Sequence, residues 1–290
     1  MDIRLIFNNK TNMFGIIVLA LVIILLTSSK SNSGPNEVYM YQSGDNFTLT
    51  ITQDGSQNYI TGISGQTTGI EGDSNTVDMV QIGQYHGIAG MLDGDNNNID
   101  FYQGGGGDSG MITAMVTGDN NDLTVWQGKH SDGTTDLSEG GDHTATITIS
   151  GNYNDIKSAQ TDQQSTGYGR HELTAEISGN SNDVEMTQRG NQKHILDLDI
   201  SGTGNDVTTY QRGNGGQKTA DIELSGNYNV IDLNQRGMNS ASASISVESI
   251  YGPAYNVTVS QQTDTSSKSF TLSGVCTNPN GCVVSVEQHN

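Results

Sequence analysis

The chain has 290 residues, of which 32% are hydrophobic, with 37 Gly against 3 Pro and a formal net charge of −20 from 12 basic and 32 acidic residues. So little apolar material argues against a conventional large core. The acidic balance, with a pI near 4.3, argues against nucleic acid and anionic lipid as ligands, since both would be repelled. Low hydrophobicity with high charge also describes disorder, but regularly spaced aliphatic pairs from Val38 to Val286 point to an ordered chain.

At the N-terminus, Arg4 and Lys10 precede an apolar run from Met13 to Leu26, followed by TSSKSNSG. A run of this length suits the apolar segment of a secretory signal better than a membrane span, which needs about 18 residues or more. Residues 1–29 therefore read as a cleaved signal peptide and 30–290 as the exported chain. Thr27 and Ser29 fill the small-residue cleavage positions, with Ser31 and Ser33 as alternatives. An uncleaved N-terminal anchor is the competing reading. No Cys follows the apolar run, which disfavours a lipoprotein.

From there the chain repeats. An Asn is followed six positions later by a Gln, with aliphatic or aromatic residues at alternate sites between: NTVDMVQ, NNIDFYQ, NDLTVWQ, NDIKSAQ, NDVEMTQ, NDVTTYQ, NVIDLNQ and NVTVSQQ. The pairs are Asn75 and Gln81, Asn97 and Gln103, Asn121 and Gln127, Asn154 and Gln160, Asn182 and Gln188, Asn205 and Gln211, Asn229 and Gln235, and Asn256 and Gln262. NEVYMYQ, ending at Gln42, is placed at the head of the series, and Gln53 and Gln288 close less regular copies. From Gln81 the steps are 22, 24, 33, 28, 23, 24 and 27 residues, one supersecondary unit each with insertions.

Each unit reads as two short strands. In the copy ending at Gln211, alternation puts Asn205, Val207, Thr209 and Gln211 on one face; the next strand puts Ala220, Ile222 and Leu224 inward with Asp221 and Glu223 outward. Gly with Asn or Asp at the corners supplies tight turns. One unit is too thin to bury its inner face. The expected fold is all-β, a β-solenoid of about ten stacked two-strand repeats, roughly 50 Å tall at about 4.8 Å per rung. A buried amide without a partner costs about 1–3 kcal/mol, but identical amides stacked on successive rungs satisfy one another as Asn and Gln ladders. The end rungs lack a neighbour on one side and can template another subunit.

The units resemble the curlin repeat, in which a strand ending in Gln is followed by Gly, a turn and a second strand ending in Gln. QRGNGGQKTADIEL (211–224) and GNYNVIDLNQRG (226–237) are similar to it, and QSGDNFTLTITQ (42–53) has the family's spacing between two Gln. The resemblance covers nearly all of the exported chain. It implies a secreted, extracellular subunit of a curli-like amyloid fibre that stacks end to end with copies of itself and related curlin subunits, supporting cell adhesion and aggregation in a biofilm matrix. An outer-membrane secretion pore and a nucleator are the further partners it implies.

Several features depart from the family. The second strand ends in Leu92, Val116, Ile149, Ile177, Ile200 or Leu224 where the family has Gln, so an apolar stripe replaces one Gln ladder. The family's Asn is often His here, at 86, 143, 171 and 194, with Lys218 in a similar place; one rung carries Gly110 instead. These His read as turn-facing hydrogen bonders ahead of transition-metal ligands. Cys276 and Cys282 are expected to form a small disulfide loop that could cap the C-terminal end. The alternative function is therefore a monomeric capped solenoid, an adhesin for matrix glycans or surfaces. Alternation turns Tyr41, Tyr102, Trp126 and Tyr210 outward as contacts for such a ligand.

Catalysis has little support. No GxSxG, HExxH or nucleotide-binding loop is present, the carboxylates sit mostly at outward positions such as Asp183 and Glu185, and no cofactor is called for. The GD(N/S)N corners are similar to calcium-binding turns, but their spacing does not fit and turn chemistry explains them.

Overall fold

The computed structural model describes the strands from residue 2 onward, with side chains at Thr48, Thr50 and Ile51 and over most of 74–289; residues 9–19, 28–35, 44–46, 55–57, 63–69, 82–86, 104–108, 129–141, 162–169, 213–215, 250–254, 263–266 and 277–281, with some corners of one or two residues, lie outside the described residues. His86, Ser29, Ser31 and Ser33 are among the latter, as is the side chain of Tyr41. No helix occurs among the described residues.

The chain is a β-solenoid of two facing sheets in which every strand pairing is parallel. The first sheet carries, in order, Asp2–Asn8, Asn36–Ser43, Asn58–Gly62, Gly87–Asp93, Ser109–Thr117, Asp142–Ser150, His171–Gly179, His194–Gly202, Lys218–Gly226, Ala241–Ser249 and Lys268–Cys276. Beside this path Ile70–Glu71 pairs with Asn36–Ser43 and Gly87–Asp93. The second sheet carries Ala20–Thr27, Phe47–Asp54, Asn75–Gln81, Asn98–Tyr102, Asp122–Thr124, Asp155–Gln160, Asp183–Gln188, Asp206–Gln211, Val230–Gln235, Asn256–Gln262 and Val283–His289. Successive strands alternate between the sheets, so each rung is one strand of each. The stack has one rung more than the ten expected, Asp2–Asn8 with Ala20–Thr27 at its head.

Alternation sets the core. In His194–Gly202 the residues Leu196, Leu198 and Ile200 are buried while Asp197 and Asp199 are exposed. Register carries the pattern from rung to rung: Leu173 lies beside Leu196 and Leu196 beside Ala220. On the second sheet Val184, Val207 and Ile231 do the same. Each buried Leu, Ile or Val contributes about 1.5–3 kcal/mol, and the stack makes the core continuous from Ile51 to Val259. The 33-residue step around 129–141 leaves this intact: Ser109–Thr117 still pairs in register with Asp142–Ser150.

One repeat changes sheet. Asn36–Ser43, expected as the first Asn-to-Gln strand, lies in the first sheet, where Gln42 is in register with Ile70 and Ile70 with Leu92. Gln42 thus stands in the column that continues as the apolar stripe, with Phe7 in register before it. The Gln column of the second sheet starts instead with Gln53, in register with Gln81.

Candidate functional site: ladders, corners and the open end

Two amide ladders run along the corners of the solenoid. Asn97, Asn121, Asn154, Asn182, Asn205 and Asn229 each donate from Nδ2 to Oδ1 of the preceding copy, starting at Asn75, over 2.5–3.0 Å. At the opposite corner Gln81, Gln103, Gln127, Gln160 and Gln188 each donate from Nε2 to Oε1 of the next copy, ending on Gln211, over 2.6–3.2 Å. Beyond it the polarity reverses, with Gln261 donating to Gln235 and Gln288 to Gln261. Several of these amides also donate to a carbonyl of the following first-sheet strand, as Gln188 does to Ile195 and Gln235 to Ser242. The ladder therefore ties rungs to each other and one sheet to the other.

Fourteen of the sixteen expected ladder residues stand in these columns; Asn256 and Gln262 do not. Register pairs Asn256 with Val230 and Val283, and both Asn256 and Gln262 are exposed. Burial of Val257 and Val259 fixes the phase of this strand, so Gln261 takes the ladder position and Tyr255 the Asn position. A slip of one residue moves a side chain to the opposite face. The Asn ladder ends accordingly: Asn229 Oδ1 has no hydrogen-bond partner in the structure, and the column continues as Tyr255 and Cys282.

The apolar stripe holds as expected. Leu92, Val116, Ile149, Ile177, Ile200 and Leu224 are in register and buried, and the column ends at Val247 and Gly274. Gly274 is required there, because a Cβ would lie 2.9 Å from the Tyr255 hydroxyl.

The His column differs from expectation. His143, His171 and His194 are in register but face the interior, all but inaccessible to solvent, with ring centroids 5.3 Å apart along the stack. They share the inward phase of Ala145, Leu173 and Leu196, which is why they are buried and not turn-facing. Burial first, then the neighbouring imidazoles, hold His171 well below the ordinary histidine range. Lys218, also buried, continues the column beside His194, and Gly110 precedes it beside His143. At Gly110 a Cβ would lie 2.5 Å from Gln127 Oε1 and 2.6 Å from His143 Nδ1, so neighbouring side chains fill that space. No group of three or more His, Cys, Asp or Glu among the described residues is placed to hold a metal ion.

Of the aromatic edge, Tyr102 departs from expectation. Tyr102 is only 4% exposed, Trp126 is half-buried, and Tyr210 is half-buried with the Arg236 guanidinium 5.6 Å from its ring centroid. Alternation gives the side of the sheet a residue leaves from, and not what then lies over it. At Trp126 and Gln127 φ is 38° and 91°, so the strand departs from extended geometry there, although Gln127 keeps its ladder place.

Cys276 and Cys282 form the expected disulfide and join the ends of the last two strands. Val284 and Val286, the inward residues of Val283–His289, are each 41% exposed, and Phe270 and Leu272 are only partly buried.

One column was missed from sequence. Arg189, Arg212 and Arg236 follow the ladder Gln in three successive copies, and their amides donate to Gln160, Gln188 and Gln211 carbonyls, which stacks them. The signal was present as QRG repeated at the same phase. Carboxylates stack as well: Asp122, Asp155, Asp183 and Asp206 are in register. Burial, then Asp155 and Asp206, pushes Asp183 up, and Lys157 relieves the column through an ion pair with Asp155 at 3.2 Å.

Comparison with known proteins finds no matching family model, curated protein or solved structure.

Proposed function

We propose that this chain is a secreted structural subunit of a curli-like amyloid fibre in the extracellular or biofilm matrix, assembling end to end by β-strand stacking and supporting cell adhesion and aggregation. Its partners are further copies and related curlin subunits, with export through an outer-membrane pore and a nucleator as the resemblance implies. The observation that carries the proposal is the open terminal rung. Lys268–Cys276 and Val283–His289 are the last strands of their sheets, and the half-exposed Val284 and Val286 continue core columns. Such an edge offers a row of backbone donors and acceptors above an apolar strip. A second copy would complete both.

The capped-adhesin reading has less support, because Val284 and Val286 are each 41% exposed and Tyr102 is buried. Purified chain lacking residues 1–29, filtered to monomer and kept oxidised, tests the proposal by thioflavin fluorescence with and without sonicated seeds. Shortened lag with seeds and reflections near 4.7 and 10 Å are expected. A persistently monomeric, β-rich protein would contradict it.

A further inference from the structure

Three consecutive rungs, from His171 to Arg236, each place an arginine just past the ladder Gln and a carboxylate at a matched position of the first-sheet strand. Arg189, Arg212 and Arg236 stack at the corner beyond the Gln ladder. Glu176, Asp199 and Glu223 are in register on the outer face of the first sheet. All three carboxylates are exposed, as are Arg212 and Arg236, with Arg189 half-buried. None of the six makes an ion pair among the described residues. The Arg189 Nε is buried with no hydrogen-bond partner in the structure, and Arg236 reaches only Asn234 and the Tyr210 ring. Like charges directly opposite on neighbouring strands are destabilising, and neither column has a counter-charge of the kind Lys157 gives the Asp155 column.

We infer that the Arg189–Arg212–Arg236 column is a side-by-side docking edge for a second copy of this chain, whose Glu176–Asp199–Glu223 column it meets rung for rung. The two columns have the same spacing by construction, about 4.8 Å, so a copy lying alongside without axial shift brings three guanidinium–carboxylate pairs together. Arginine suits this, because its planar fork binds carboxylates bidentately. A long soluble polyanion fits less well, since it would have to approach a chain of net charge −20; side-by-side contact is local and works within a Debye length of about 8–10 Å. One exposed pair contributes only about 0–1 kcal/mol. Repetition along a fibre makes the sum effective through multivalency, so the inference rests on the fibre reading for its strength and not for its geometry.

The test measures lateral and axial association separately. In the chain lacking residues 1–29, R189Q/R212Q/R236Q is compared with the native sequence by seeded thioflavin growth and by filament width in electron micrographs. Elongation is expected to persist while bundles give way to single filaments and light scattering drops about ten-fold. Native bundles should disperse likewise near 1 M salt, where the Debye length is about 3 Å. R189E/R212E/R236E mixed with E176R/D199R/E223R should restore bundling that neither shows alone. If native chain does not elongate, which counts against the fibre and not this edge, sedimentation velocity at low salt should still show self-association lost in R189Q/R212Q/R236Q. Unchanged bundle width or self-association in that variant overturns the inference, and so does a variant that bundles normally but loses binding to an acidic polysaccharide.

Discussion

The imidazoles of His143 and His171 stack with an interplanar angle of 11° and centroids 5.3 Å apart, in a corner closed to solvent. His194 extends the stack and Lys218 follows it. Protonating His171 would place a charge in a buried corner between the His143 and His194 imidazoles, which is why its pKa is depressed. A depressed folded-state pKa means that the unfolded chain takes up a proton first as pH falls. The stabilising contribution is complete above the unfolded value of 6.5 and is lost as pH drops below it towards the folded value. Urea midpoints should therefore fall between pH 7.5 and 5.5, by about 1.4 kcal/mol of stability per pH unit for each such imidazole. His171→Leu should flatten this dependence. Asp78, Asp100 and Asp183, raised chiefly by burial, act with the opposite sign at lower pH. A flat profile across pH 7.5–5.5 in the native chain would sink this account of the column.

Gln261 and Gln262 are adjacent and chemically identical, yet only Gln261 is in the ladder, bonded to Gln235, Gln288 and the Ser269 carbonyl. Gln261→Leu should cost about 2–4 kcal/mol, because the buried Gln235 amide and the Ser269 carbonyl lose a partner. Gln262→Leu, on the exposed face, should stay within about 0.5 kcal/mol. Chemical denaturation of the two variants compares them directly; equal losses would mean that the register is wrong.

Glycines separate in the same way. A Cβ on Gly179 would lie 1.6 Å from the Gly151 carbonyl oxygen, in a column where Gly202 and Gly226 repeat the contact. Gly179→Ala should cost at least about 3 kcal/mol, since backbone has to move. A Cβ on Gly90 meets only the Phe101 ring, at 3.5 Å. Gly90→Ala should be neutral or stabilising by about 0.4–1 kcal/mol, readable as a shift in thermal midpoint.

How much of this was legible in the sequence depends on the kind of pattern. The sheets, the amide ladders and the apolar stripe repeat at fixed phase, and alternation converts phase into face; Leu92 to Leu224 could be placed without coordinates. Where two identical residues adjoin, as at Gln261 and Gln262, spacing alone does not choose between them, and the burial of Val257 and Val259 does. Cover is a tertiary property, which is why Tyr102 was expected outward into solvent and is buried. The His column had the right register but the wrong environment, because a polar side chain at an inward position was assigned to the turn next to it. Arg189, Arg212 and Arg236 were visible as QRG repeated at one phase.

Reduction should act on the open end first. Cys276 and Cys282 hold together the two strands with the most exposed inner face. Replacing both by Ser should cost about 2 kcal/mol by the loop-entropy estimate, concentrated in Lys268–Cys276 and Val283–His289. Hydrogen exchange should show these strands opening while His171–Gly179 stays protected, and seeded elongation should slow. Unchanged exchange in the last rung would contradict this.

The central claim is that folded solenoids stack end to end through the terminal rung, and the axial repeat of the fibre tests it most directly. Electron cryo-microscopy of fibres grown from the chain lacking residues 1–29 should give one subunit per about 48 Å, ten rungs at about 4.8 Å each. One subunit per 4.8 Å layer would mean that the chain unfolds into a flat in-register stack, and would contradict the account.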